Sequence, residues 1–208
     1  AATIAGATNT GATTYSIAST GAGIAGAVAS VLNGATDITT VSTSINTTDA
    51  QALLDATNTG TTTIALVLGA SSHLAALVLG ANDTVTSVTP TDAATAAEAQ
   101  AMLDAGMTIS SYDLSDTAEN LAAASSAVLN GATDIASTGV ATVAEATVID
   151  AATNSGDNTY AIEDTAAAVQ AASVSVLEGS TGDAIRVTDA SVTAATATAL
   201  RALDAANN

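Results

Sequence analysis

Apolar and polar positions along this chain switch repeatedly between two periods. Tyr15-Ser-Ile17, Tyr112-Asp-Leu114 and Tyr160-Ala-Ile162 alternate, which predicts short strands with one buried face. Ile24, Ala27, Val28, Val31 and Leu32 then fall at i, i+3, i+4, i+7 and i+8, the apolar face of a helix. Leu121, Val128 and Leu129 repeat that face, and so do Val169, Val176 and Leu177. In Ser115-Asp-Thr-Ala-Glu119, Asp116 reads as a cap and Glu119 completes a capping box; Asp164 repeats the cap. Asn33-Gly34 and Asn130-Gly131 are expected to end these helices in the left-handed conformation both residue types tolerate. Ile185-Arg-Val187 predicts a second kind of strand, matched by segments opening at Ile38 and Val85. Thr91-Asp92 and Thr188-Asp189 read as caps of the helices that follow, typified by Ala93 to Asp104 with Met102 and Leu103 inward.

The alternation is a fourfold repeat. Val31 to Ile38 (VLNGATDI) recurs unchanged at Val128 to Ile135, and as variants at Val78 to Val85 and Val176 to Ile185. A second series joins Ala7-Thr-Asn-Thr-Gly11, Ala56-Thr-Asn-Thr-Gly60 and Ala152-Thr-Asn-Ser-Gly156, with Asp104-Ala-Gly106 as its shortened third copy. Ile64 stands in the second copy where the others carry Tyr15, Tyr112 and Tyr160. Four copies of about 48 residues fill residues 1–208 with no linker or break in composition, so one repeat domain is expected. Each copy is strand, helix, strand, helix, or two coils of about 24 residues.

Strands joined through helices at this spacing pair in parallel by right-handed crossovers. A closed barrel of eight such units needs about 250 residues and bulky branched side chains inside it. These strands are short and the side chains small. The expected fold is therefore α/β, a right-handed solenoid with a parallel sheet on one side and Ala-rich helices on the other. Helices usually pack about 8–10 Å apart and strands about 4.8 Å; Ala faces narrow that mismatch, which predicts weak curvature. Ala also buries little apolar area, so each repeat depends on its neighbours.

Composition narrows the partners. Twenty Asp and Glu oppose two basic residues, Arg186 and Arg201, for a formal charge of -18. Two Arg cannot neutralise a phosphate track or anchor the chain on an anionic lipid surface, so neither nucleic acid nor such a membrane is an expected partner. A mean hydropathy of +0.43 with 11% charged residues excludes the composition of a disordered chain. Ile64 to Ala81 is apolar enough to raise a membrane span, but it falls in phase with strand, cap and helix of the repeat, and no span is expected. Its additional apolar residues Val67, Leu68, Leu74 and Leu77 mark either a patch covered by another chain or a locally larger core.

Little of the chain carries chemistry. His73 is the only histidine and Cys is absent, so no His-based metal cluster or catalytic dyad can form within one chain, and no G-x-S-x-G elbow surrounds His73. No enzyme activity is expected, and no cofactor. Asp37, Asp92, Asp116, Asp134, Asp164 and Asp189 read as caps and turn residues; calcium shared between adjacent turns is the functional alternative, without a matching loop motif. Thr13, Thr14, Thr39, Thr40 and Thr61 to Thr63 form no rank kept from copy to copy, so strand propensity explains them better than an ice-binding face. Asn46-Thr-Thr48 and Asn82-Asp-Thr84 match the N-glycosylation pattern, which a Thr-rich chain also produces by chance.

The elements at 112–118, 125–135, 160–166 and 187–190 resemble repeats of very long secreted and cell-surface proteins of bacteria, cyanobacterial and marine ones among them. Such giant, adhesin-like proteins often carry haemolysin-type calcium repeats as well, which this chain lacks. The resemblance implies an extracellular structural or adhesive role and transfers no functional residue. Asn208 shares the phase of Asn9, Asn58 and Asn154, and neither end has a polar capping repeat. The expected partner is therefore another copy stacked head to tail, or the continuation of a longer chain. A non-enzymatic subunit of an extracellular filament, sheath or surface layer is the first expectation. A spacer or binding segment of a giant adhesin, with or without calcium, is the second.

Overall fold

Along most of the chain one local sequence of events recurs. A short strand turns its alternate side chains inward, a polar residue caps a helix, and the helix returns the chain to the start of the next strand. A computed structural model describes residues 14–41 and 44–207, leaving out the side chains of 181–184 and 203–207. The Ala7 to Gly11 copy of the Asn-Thr-Gly series, Thr13 and the phase of Asn208 lie outside the described residues.

In chain order the elements are β1 (Ile17–Ser19), α1 (Gly21–Ala25), α2 (Ala29–Asn33), β2 (Ile38–Thr40), β3 (Ile45–Asn46), α3 (Thr47–Leu54), β4 (Thr62–Ile64), β5 (Val67–Gly69), α4 (Ser71–Ala75), β6 (Asp83–Val85), β7 (Val88–Pro90) and α5 (Ala96–Asp104). They continue with β8 (Leu114–Asp116), α6 (Ala118–Ala123), α7 (Ser126–Gly131), β9 (Ile135–Ala141), α8 (Val143–Asp150), β10 (Asn158–Asp164), α9 (Ala166–Ala171), α10 (Val174–Glu178), β11 (Ser180–Val187) and α11 (Ala194–Asn207). The fold is α/β, built of alternating strand–helix modules and parallel sheets, none of which closes on itself.

The chain divides into two compact units, one running to Asp92 and including Glu98–Ser111, the other joining Ala93–Ala97 to the chain from Tyr112 onward. The first holds two parallel sheets, in the orders β1-β2-β4-β6 and β3-β5-β7. Ile17 faces Ile38 and Ile38 faces Thr62, so partners stand 21 and 24 residues apart in sequence. Ile45, Val67, Val88 and Ile109 continue the second sheet's inward column, and the first three are buried. The second unit holds one parallel sheet, in the order β8-β9-β10-β11, with Leu114 on Ile135 and Ala141 on Ile162 as buried rungs. Outward rungs differ between the units: Thr39, Thr63 and Thr84 align in the first, Ser115, Ala136 and Thr159 in the second.

Several local expectations are corrected. The helix expected across residues 24–32 is two short helices, α1 and α2, because Val28 is extended (φ −69°, ψ 147°) and 63% exposed. The pairs α6/α7 and α9/α10 break likewise, where the hydroxyls of Ser125 and Ser173 accept from the Val128 and Val176 amides and start a new helix. Helix α5 begins at Ala96 rather than Ala93, since Ala94 pairs with Leu114. Gly34 and Gly179 are right-handed (φ −84° and −71°), Gly131 is helical, and Gly106 (φ 75°), after α5, is the one described glycine with a positive φ.

The apolar stretch from Ile64 to Ala81 forms the end of β4, then β5 and α4. Val67 and Leu74 are completely buried, Leu77 nearly so, and Leu68 half-buried. Val67, Leu74 and Leu77 thus belong to the local core, and Leu68 keeps part of its side chain at the surface. No helix among the described residues is long and apolar enough to cross a membrane.

Candidate functional site

The polar side chains expected to carry chemistry or caps converge on one recurring place, the seam between a module and the next. It has two corners, and the repeated octapeptide builds the first. Helix α2 ends at Asn33, which leaves its last carbonyls without helical partners. Tyr15 Oη donates to the Val31 carbonyl at 2.8 Å, and the neighbouring Leu32 is buried. Asn33 Oδ1 accepts from the amide of Thr57 in the following module at 2.9 Å. The Thr36 carbonyl accepts from the Gly60 amide at 2.7 Å and from Asn58 Nδ2 at 3.1 Å. Asp37 Oδ1 takes the amide and hydroxyl of Thr61 at 2.9 and 3.1 Å, and Ile38 enters the core.

The second unit repeats this corner, except for the bond made by the Thr61 hydroxyl, since Asp157 stands in its place. Tyr112 Oη donates to the Val128 carbonyl at 2.6 Å, and Tyr160 Oη to that of Val176 at 2.9 Å. Asn130 Oδ1 accepts from the Thr153 amide at 2.9 Å. The Thr133 carbonyl takes Gly156 N and Asn154 Nδ2, each at 2.8 Å, and Asp134 Oδ1 takes the Asp157 amide at 2.8 Å.

Close approach explains the glycines. A Cβ on Gly34 would stand 2.7 Å from Tyr15 Oη, and one on Gly131 would stand 2.8 Å from Tyr112 Oη. A Cβ on Gly179 would collide with Tyr160 Oη, and those on Gly60 and Gly156 with the carboxylates of Asp37 and Asp134. In the second copy Ile64 replaces the tyrosine, and Ala81 stands where the aligned glycine would be.

The second corner lies at the helix N-termini. Asp92, Asp116, Asp164 and Asp189 were expected to cap their own helices. Each reaches back to the first residue of the helix in the preceding module, while Asp116 and Asp164 also accept from the adjacent Thr117 and Thr165 amides. Asp92 Oδ1 accepts from Ser71 N at 2.7 Å and Ser71 Oγ at 2.9 Å, supplying the cap that Ala70 lacks. Asp116 Oδ2 takes the Ala96 amide and Asp164 Oδ2 the Val143 amide, each at 3.0 Å, and Asp189 Oδ2 takes that of Ala166. The caps of α6 and α9 are Thr117 and Thr165, one residue further on. The capping box expected at Asp116 and Glu119 is found at Thr142 and Glu145.

These bonds set the electrostatics. The amide and then the hydroxyl of Thr61 hold Asp37 below the usual carboxylate range, and those of Ser71 do the same for Asp92. At Asp116 burial pushes upward, but bonds from Asn120, Thr117 and Ala96 outweigh it and the carboxyl is lowered. Burial raises the Tyr112 and Tyr160 hydroxyls, and nearby Asp150 raises Tyr160 further.

Other candidates stay apart from the seam. His73 is exposed at the end of α4. Asn46 is bound at both side-chain ends by Asp49, as the cap of α3, whereas Asn82 is exposed in the turn before β6. Among the described residues no group of three or more His, Cys, Asp or Glu is arranged to hold a metal ion. Thr40 and Thr62 are buried, with Thr40 Oγ1 accepting from the Ala65 amide and Thr62 Oγ1 donating to Asn58. No family model matches the chain, and no curated protein or solved structure matches it either.

Proposed function

We propose that this chain is a non-enzymatic structural protein: a right-handed solenoid whose modules stack into an extracellular filament, sheath or surface layer. One observation carries the reading. The same side chains make the same bonds to the next module in both compact units, from Asn33 to Thr57 and from Asn130 to Thr153, from Asp37 to Thr61 and from Asp134 to Asp157. Residue types that elsewhere supply ligands and general bases are here committed to holding module on module. Continuation of that stacking, by a second copy or by more of the same chain, is the mechanism of assembly. The acidic surface keeps assembled arrays apart by mutual repulsion.

Electron microscopy of negatively stained material, with and without EDTA, tests this. Filaments with a regular axial repeat that survive EDTA are the expected result. Separate short particles at high concentration would refute self-assembly and leave a spacer within a longer adhesin. Filaments that dissolve in EDTA would return calcium to the mechanism.

A further inference from the structure

Asn33-Gly34 and Asn130-Gly131 are the chain's two Asn-Gly pairs, and Asn-Gly is the dipeptide most prone to spontaneous deamidation, because glycine offers no side chain to hinder ring closure. The glycine amide nitrogen attacks the asparagine Cγ, the Cγ–Nδ2 bond breaks and ammonia leaves, forming a succinimide. Water opens the ring at one carbonyl to give aspartate, or at the other to give isoaspartate, whose main chain runs through Cβ and Cγ. No oxidant or enzyme is needed.

The folded seam obstructs the first step at both sites. Asn33 Oδ1 is held by the Thr57 amide at 2.9 Å, so its Cγ is turned toward the following module. The nucleophile is engaged as well, since Gly34 N donates to the Ser30 carbonyl at 3.2 Å. Asn130 is held in the same way by Thr153 at 2.9 Å, and Gly131 is the last residue of α7. Both asparagines are exposed, so water reaches them freely and the protection is conformational. We propose that Asn33-Gly34 and Asn130-Gly131 are latent modification sites, silenced by the docking of the following module and opened to succinimide chemistry when it leaves. Isoaspartate at either site lengthens the main chain beside a glycine packed under a tyrosine hydroxyl. A module left undocked for long therefore loses the geometry it needs to dock again.

The full chain is incubated at mildly alkaline pH, native and in denaturant, and both sites are followed by mass spectrometry of proteolytic peptides. In the native chain both convert at least about tenfold more slowly than in the denatured chain, since reaction waits on local opening. Gly156→Val, which forces a side chain against Asp134 and Thr133, raises conversion at Asn130 toward the denatured rate while Asn33 in the same molecule stays slow. Should that variant unfold throughout, Thr153→Pro, which removes the amide that holds Asn130 and fixes the local backbone, carries the same expectation. Equal rates in native and denatured chains would overturn the proposal. So would an unchanged Asn130 rate in a variant whose hydrogen exchange shows the following module undocked.

Discussion

Replacing Gly131 by Ala is ordinarily stabilising at a helical position, by about 0.5–1 kcal/mol, because alanine has less backbone freedom to lose. The structure predicts the reverse here. The new Cβ would meet Tyr112 Oη at 2.8 Å, while the ring carbons remain at an acceptable 3.5 Å, so the conflict is with the hydroxyl alone. Overpacking of this kind costs about 1–3 kcal/mol, which leaves Gly131→Ala destabilised by about 1 kcal/mol on balance. Tyr112→Phe removes the donor to the buried Val128 carbonyl and costs about 1–3 kcal/mol, the penalty for an unsatisfied buried acceptor. In the double variant the collision disappears and the gain from alanine returns. It should therefore be at least as stable as Tyr112→Phe alone, with a coupling of about 1–3 kcal/mol in its favour. Urea unfolding followed by circular dichroism and tyrosine fluorescence measures this, with coincident transitions and equal slopes showing that one free energy applies. A Gly131→Ala chain as stable as the parent, with no coupling to Tyr112→Phe, would refute the claim that the hydroxyl dictates the glycine.

Asp92→Ala should cost about 0.5–2 kcal/mol, as loss of a helix cap does, and accelerate amide exchange at Ser71; Asp92→Asn, which keeps the acceptor, should restore most of it. Asp37, Asp92 and Asp116 have folded pKa values below their unfolded ones, so the unfolded chain takes up protons first as the pH falls. Their contribution is complete above about pH 5 and is lost as the pH drops through about 4 and below. Relief of the net charge of -18 acts in the opposite direction; Asp116→Asn should therefore flatten the acid limb of a stability–pH curve without altering its neutral plateau by more than the lost bonds. Leu74→Ala should lower unfolding stability by about 2–5 kcal/mol, a core cavity's cost, and leave the association state measured by sedimentation unchanged.

Period and repetition were enough to find the modules, the parallel pairing and most of the core, because burial imposes both on the sequence. Ile38, Leu121, Val128, Ile135 and Ile162 lie inside where alternation and helical spacing put them. Direction was harder to read. A carboxylate one residue before a helix looks like a cap for that helix. Asp164 does bond the adjacent Thr165 amide, yet its other oxygen serves Val143, 21 residues earlier, which no local pattern reveals. Gly34 and Gly131 were read through backbone conformation, whereas space under a tyrosine decides them. A signal for that was present: the tyrosine and the glycine disappear together in the second copy, at Ile64 and Ala81. Ser125 and Ser173, which restart broken helices, were hidden among many serines.

The seam also bears on how such a gene changes length. Its bonds join residues at nearly constant offsets, 24 from Asn33 to Thr57 and 23 from Asn130 to Thr153, and the first and third copies carry the asparagine that makes them. A duplicated copy of that kind brings an Asn for the module after it, an Asp for the one before it and a Tyr for the helix end of its own module. Unequal recombination in whole copies thus inserts or removes a layer without a compensating substitution elsewhere. In the second unit a single module is not an equivalent unit of exchange, because modules with two short helices, such as α6 and α7, alternate there with modules carrying one, such as α8. The reading frame of this architecture is the pair.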